Sequence, residues 1–309
     1  MEQSNNSVVS EFILLGLSPS QVLQLPFFVA FTLLYMATVL GNLLILLTIT
    51  SSPHLLHCPM FFLLSHLSFL DLCLASFATP RALLGFPSHD KAISFQGCMA
   101  QIFFLHFFGG SEMLLLIAMA YDRYVAICRP LHYTSLMSRW HCLSLVVVSW
   151  SGGFLHATIQ LAFMINLPFC GPNHVDSFFC DIPLVIKLAC TRTDALEIIM
   201  VANSGLMSLV SFLALLVSYG FILSAVRSRS SAEGTSKAFS TCSSHLTVAT
   251  LFFGPCLFIY LRPFTRFPMD KVLSVFYTAI TPLLNPIIYT LRNKEVKAAM
   301  RRLWTKRGV

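Results

Sequence analysis

Residues 25–50 read LPFFVAFTLLYMATVLGNLLILLTIT, a run without a single Asp, Glu, Lys or Arg. At 1.5 Å rise each, about 20 apolar residues cross the hydrocarbon core of a bilayer. The run is continuously apolar and does not alternate with period two, so it reads as a spanning helix and excludes a β-barrel strand. Comparable stretches follow near 59–83, 98–122, 142–164, 197–226, 239–261 and 271–291, joined by short connections. The expectation is an all-α, polytopic membrane protein: a seven-transmembrane helix bundle forming one domain over 1–309. Residues 1–24 would be an outer arm and residues 292–309 an inner tail.

Composition agrees with lipid as the solvent. The 309 residues are 56% hydrophobic and 11% charged, and mean hydropathy is +0.75. A soluble domain carries about 25% charged residues. This excludes a water-soluble enzyme, collagen, a disordered chain and a coiled coil.

An odd number of spans puts the termini on opposite sides. With the N-terminus outside, the inner side holds 13 of the 20 Lys and Arg, including Arg123, Arg129, Arg139, Arg227, Arg229, Lys237 and seven in the tail. The outer side holds seven, among them Arg81, Lys91, Arg262 and Arg266. The positive-inside rule therefore favours an outer N-terminus, although the first inner loop, 51–57, has no basic residue. The net charge of +7 is accounted for by ends that face anionic lipid, without nucleic acid as a partner. Asn5-Asn6-Ser7 is a glycosylation sequon on the expected outer arm. No basic region precedes the first apolar run, so that helix would itself serve as the insertion signal.

Cys98, Cys170, Cys180 and Cys190 fall on the expected outer side, where oxidation is permitted. Four cysteines allow three pairings, which spacing alone does not separate. Cys128, Cys142 and Cys242 fall on the reducing side, and Cys58, Cys73 and Cys256 read as packing residues. The connection near 165–196 is the one long loop, and its Pro168, Gly171, Pro172 and Pro183 disfavour a regular helix.

Charges inside the spans are costly in a bilayer and therefore informative. Asp71 and Glu112 stand mid-span, and two carboxylates at similar depth need a shared proton or a cation. A small Na⁺ or proton site is one reading; the other is that Ser, Asn or water satisfies each, with Asn285 as a further polar neighbour. At the inner edge of the third span, Asp122 and Arg123 point about 100° apart on a helix, so Arg123 can face the bundle and Asp122 the rim. An interfacial anchor pair is the plainer alternative. Pro255, Pro282 and Pro286 break the hydrogen-bond ladder of the sixth and seventh spans, most simply as static kinks.

Taken together, these residues resemble the rhodopsin-like G-protein-coupled receptors. Gly41-Asn42, Leu67-Ser68-Phe69-Leu70-Asp71, Asp122-Arg123-Tyr124, Trp150 and Asn285-Pro286-Ile287-Ile288-Tyr289 carry the likeness. More narrowly, the chain is similar to the odorant receptors. The signatures are Pro59-Met60-Phe61-Phe62, the run Met119 to Cys128, Ser218-Tyr219, the run Lys237 to His245, and Pro282-Leu283-Leu284-Asn285-Pro286. The likeness covers nearly the whole chain.

The resemblance implies disulfides Cys98–Cys180 and Cys170–Cys190, and an inner cation site at Asp71 and Glu112. It implies a switch made by Asp122, Arg123, Tyr124, Tyr219, Asn285, Pro286 and Tyr289. It also implies an odorant ligand, a stimulatory G protein of the olfactory class that raises cyclic AMP, and residence in the plasma membrane, in the cilia of olfactory neurons. Beyond a possible Na⁺, no cofactor or metal is expected. Phe61 stands where many relatives have Tyr, and Phe252-Phe253-Gly254 replaces a frequent Phe-Tyr-Gly. No cysteine follows Tyr289 for palmitoylation. An amphipathic helix over 293–304, with Val296, Met300, Leu303 and Trp304 on one face, would lie on the inner leaflet.

By the same resemblance the ligand pocket lies in the outer half of the bundle. Leu105, His106, Gly109 and Gly110 would come from the third helix, and Asn203, Ser204 and Met207 from the fifth. Phe253, Cys256 and Tyr260 would come from the sixth and Thr278 from the seventh. Amine receptors carry an aspartate where Leu105 stands, which argues against a cationic amine. Apolar walls with a few hydroxyls suit a small, nearly neutral volatile, with Tyr260 as donor to it and His106 as second contact or mere packing. Arg262 and Arg266 are expected in a solvated loop.

Rival classes lack their signatures. There are no internal halves for a transporter, no His-Glu-x-x-His or Gly-x-Ser-x-Gly for an enzyme, and no lysine between Lys271 and Lys294 to hold retinal. A related receptor that reads a non-volatile metabolite outside the nose stays as the alternative.

Overall fold

The structure is a computed structural model that describes residues 9–17, 21–85, 91–229, 232–262, 265, 267–291 and 294–306. Asn5, Arg266 and the ends of the chain lie outside the described residues. Backbone polar groups in lipid have no water to turn to, so each apolar run closes its own ladder as a helix. The result is α1 (Gln21–Thr50), α2 (Pro59–Gly85), α3 (Phe95–Cys128), α4 (Arg139–Met164), then α5 in three consecutive pieces (Asp194–Met200, Val201–Gly205, Leu206–Arg229). There follow α6 (Ala232–Tyr260), α7, again in three pieces (Asp270–Val275, Phe276–Ile280, Thr281–Leu291), and α8 (Lys294–Lys306). Six of these are long and apolar enough to cross a membrane, and α6 adds a shorter apolar stretch, His245–Tyr260. The chain is a multi-pass seven-helix bundle.

Helix ends differ from the apolar runs. α3 extends from Phe95 to Cys128, past the expected 98–122, because the Asp122-Arg123-Tyr124 turn continues the ladder, with Asp122 and Val125 buried. Ser94 caps its start, its Oγ accepting from Gly97 N at 3.0 Å. The middle pieces of α5 and α7 are wide π turns, a local bulge that redirects the side chains after it.

Small residues let the helices approach closely. A Cβ on Gly153 of α4 would clash with Ser111 Oγ of α3 and stand 2.6 Å from Phe107 O, so the two backbones nearly touch there. On α7, Pro286 has no N–H to give to Pro282 O. Asn42 Nδ2 of α1 supplies the missing donor at 2.9 Å, and Gly41 leaves room for the Pro286 ring. Leu33, Leu40 and Leu47 on α1 stay exposed, as a lipid-facing stripe requires.

One end of the bundle, termed outer below, carries structure that the apolar pattern did not announce. Within the expected arm, β1 (Glu11–Leu14) pairs antiparallel with β2 (Ala92–Ser94) and parallel with β3 (His174–Val175), in the order β2-β1-β3. Phe12 is fully buried beneath this sheet, edge-on to Phe169 at 5.3 Å. The long loop is tied by disulfides Cys98–Cys180 and Cys170–Cys190. At the opposite, inner end, α8 buries Val296 and Ala299 against the bundle. Its apolar face is thus partly used by protein, where lipid alone was expected. The side chains of Leu303 and Trp304 are outside the described residues.

Candidate functional site

A cavity with about 520 Å³ of space, part of it open to solvent, lies in the outer half, between α3, α5, α6 and α7 and under the long loop. Helical period decides its lining. On α6, Phe252, Cys256 and Tyr260 recur every fourth residue and share one face; on α5, Ser204 and Ser208 do the same. α3 contributes Leu105, His106, Gly109, Gly110 and Met113, and the π turn of α7 presents Tyr277 and Thr278.

Three expected wall residues stand elsewhere. Phe253 is one position off the α6 face and packs on Phe212 and Phe252 in the core, with ring centroids at 5.6 and 5.1 Å. Asn203 turns toward α4, where its Oδ1 is 3.1 Å from His156 Nδ1 and its Nδ2 donates to His156 O at 3.3 Å. Met207 reaches toward Gly110 and is not part of the lining.

Other lining residues went unforeseen, chiefly His156, Asp181, Ser208, Phe252 and Tyr277. Asp181 had a readable signal. Once Cys180 is bonded to Cys98 at the top of α3, the next residue must hang over the cavity. His156 is a polar residue inside an apolar span, and the rule applied to Asp71 and Glu112 applies equally to it.

The Tyr260 hydroxyl corrects an expectation. Its proton goes to Asp181 Oδ1 at 2.8 Å, which clasps the loop to α6 and leaves no donor there for a ligand. His106 is buried, with Nδ1 2.9 Å from Ile102 O, and its ring stands edge-on to Tyr260 at 6.0 Å. Arg262 is not a solvated loop residue either: its Nη2 donates to Asp270 Oδ1 at 2.7 Å, and the guanidinium lies over the rings of Phe258 and Phe267.

Below the cavity, α2, α3 and α7 meet at Asp71, Glu112 and Asn285, all essentially without exposure. Asn285 Nδ2 is 3.1 Å from both Asp71 carboxylate oxygens and 3.4 Å from Glu112 Oε1. Glu112 Oε2 and Asn285 Oδ1 have no hydrogen-bond partner among the described residues. One amide thus serves two buried carboxylates, with acceptor oxygens left over.

At the inner end, Asp122 is buried and accepts from Tyr133 Oη at 2.9 Å. This corrects the rim placement, because the turn Tyr133–Leu136 folds back over the end of α3 and covers it. Burial, with Asp122 adding to it, pushes the Tyr133 phenol above its ordinary value. The Arg123 guanidinium lies against Met60 Sδ of α2. Tyr124 meets Phe221 edge-on at 6.3 Å, and Tyr219 Oη is 2.9 Å from His245 Nδ1 of α6. Pro286 is buried in α7; the Tyr289 side chain lies outside the described residues.

The profile of a family described as "Olfactory receptor" matches residues 31–307. Olfactory receptor 4K3 of Homo sapiens is 63% identical over 303 residues, covering 98% of this chain and 96% of its own. Olfactory receptor 4K14 of Homo sapiens is 62% identical over 307 residues, 99% of each. Olfactory receptor 4Q2 of the same organism is 54% identical over 310 residues, with 100% and 98% coverage.

Proposed function

The chain belongs to the olfactory receptor family, a receptor and not an enzyme, and on that premise we propose how it works. It binds a small, mostly apolar volatile in the outer cavity and activates a stimulatory G protein of the olfactory class, raising cyclic AMP. It sits in the plasma membrane of sensory cilia with its N-terminus outside. The observation that carries this reading is the position of the cavity. Met113 lines it from α3, adjacent to Glu112. Tyr277 and Thr278 line it from α7, two turns above Asn285.

A ligand that wedges between α3 and α7 therefore shifts the two helices whose carboxylate and amide meet directly below. Affinity comes mainly from burial, about 25 cal/mol per Å² before ordering costs. Ten heavy atoms at roughly 0.8 kcal/mol each give micromolar binding. In this reading Asp71 and Glu112 share a proton or hold a Na⁺. The unpartnered Glu112 Oε2 and Asn285 Oδ1 fit a small hard cation, which would supply charge neutralisation and nothing more. Arg123 leaves Met60 to meet the G protein, with Tyr219 and Tyr289 moving in behind it and Asp122, Tyr124 and Pro286 framing the movement.

The test is cyclic AMP in cells that display the chain, screened against a volatile panel beside Arg123→Ala. A response in the parent that Arg123→Ala abolishes at equal surface display is expected. A response intact in Arg123→Ala contradicts the switch.

A further inference from the structure

The hydrogen-bonding sense of the cavity is fixed by where its protons already go. His106 Nδ1 lies 2.9 Å from Ile102 O, a carbonyl that only accepts, so Nδ1 carries the ring proton. His106 Nε2 is then a bare lone pair, buried and with no partner among the described residues. A second proton there would bury a charge and an N–H with nothing to receive them.

His156 follows the same logic. Its Nδ1 faces Asn203 Oδ1 at 3.1 Å, and the amide is oriented by its own Nδ2 donating to His156 O. Its Nε2 is therefore also an acceptor. The two imidazoles stand 5.6 Å apart on the cavity wall.

Three of the cavity hydroxyls turn their protons away as well, while that of Ser204 accepts from Gln160 Nε2 at 2.5 Å. Tyr260 donates to Asp181, Thr278 to Ser274 O at 2.7 Å and Ser208 to Ser204 O at 2.7 Å. What these groups leave toward the cavity is lone pairs. The Tyr277 hydroxyl is buried beside that of Tyr260 and turns its proton toward the Tyr260 oxygen.

We propose that the cavity selects a neutral ligand that donates a hydrogen bond, an alcohol or phenol, with His106 Nε2 as the acceptor. This rests on the outer cavity being the ligand site. An alcohol or phenol gives its hydroxyl proton to Nε2. A ketone, aldehyde or methyl ether of the same skeleton has no proton to give and leaves Nε2 dry and unpaired. Leaving a buried acceptor unpaired is the stronger form of discrimination, because the penalty falls on the wrong ligand.

The test uses alcohols and phenols of six to ten carbons, each beside its methyl ether and its carbonyl counterpart, on the parent chain, His106→Leu and His106→Gln. Cyclic AMP is read at matched surface display, and thermal stabilisation of the purified receptor is read with the same panel. Alcohols are expected to act at least about tenfold lower in concentration than their partners on the parent chain. That preference should shrink below threefold in His106→Leu and be partly kept in His106→Gln, whose amide oxygen still accepts.

Equal potency of ethers or carbonyl compounds overturns the proposal, as does a preference unchanged in both variants. Stabilisation by alcohols without any cyclic AMP upholds the donor rule and overturns the signalling reading instead. No stabilisation by any member of the panel overturns both.

Discussion

At its outer end α3 is tied by a disulfide, Cys98–Cys180, and by Gln101, which donates to Phe77 O at 2.9 Å and accepts from Cys180 N at 2.8 Å. At its inner end the ties run through single side chains: Asp122 accepts from the Tyr133 hydroxyl, Arg123 touches Met60, Tyr124 meets Phe221, and Ser218 Oγ donates to Ala120 O at 3.2 Å. The first set cannot let go without breaking a covalent bond or freeing a backbone N–H. The second lets go when a few side chains change rotamer. One helix thus combines a fixed frame for the proposed ligand site with a releasable end, and the Asp71–Glu112–Asn285 cluster sits between the two.

The largest effect should come from cutting the outer tie. Removing a native disulfide typically costs about 2–5 kcal/mol, so Cys98→Ser should lower surface display at least tenfold. Cys142→Ser, which alters a buried free thiol toward the inner end, should leave display near the parent level, as antibody staining of intact cells would read. Equal loss in both would remove the distinction between the ends.

A smaller effect is expected where α3 and α4 nearly touch. Gly153→Ala puts a Cβ against Phe107 O and Ser111, an overpacking that costs about 1–3 kcal/mol. A melting curve of purified receptor should shift down by several degrees. Gly109→Ala meets nothing within 4 Å and should melt with the parent, even though Gly109 lines the cavity.

The spans and the family were legible in the sequence because lipid demands long apolar runs and because rare polar residues inside them stand out. The sheet was not. Residues 11–14 form one short strand whose partners are about 80 and 160 positions away, and no local pattern reports such pairing. The cavity residues were named from the family resemblance, and Cys256 and Tyr260, four apart on α6, do line the cavity. Phe253 failed by a single step of about 100°. Asp122 and Tyr260 were legible as important and misjudged in partner, since Tyr133 and Asp181 come from connections whose path no periodicity records.

The division of α3 into a fixed and a releasable end is tested most directly by ligand-free cyclic AMP, normalised to receptor at the surface, in Tyr133→Phe and Gln101→Ala. Tyr133→Phe removes one hydrogen bond to a buried carboxylate, about 1.5–3 kcal/mol, and should raise the normalised signal at least several-fold with display nearly unchanged. Gln101→Ala should lower display and leave the signal per receptor at the parent level. A raised signal per receptor in Gln101→Ala, with none in Tyr133→Phe, would contradict the account.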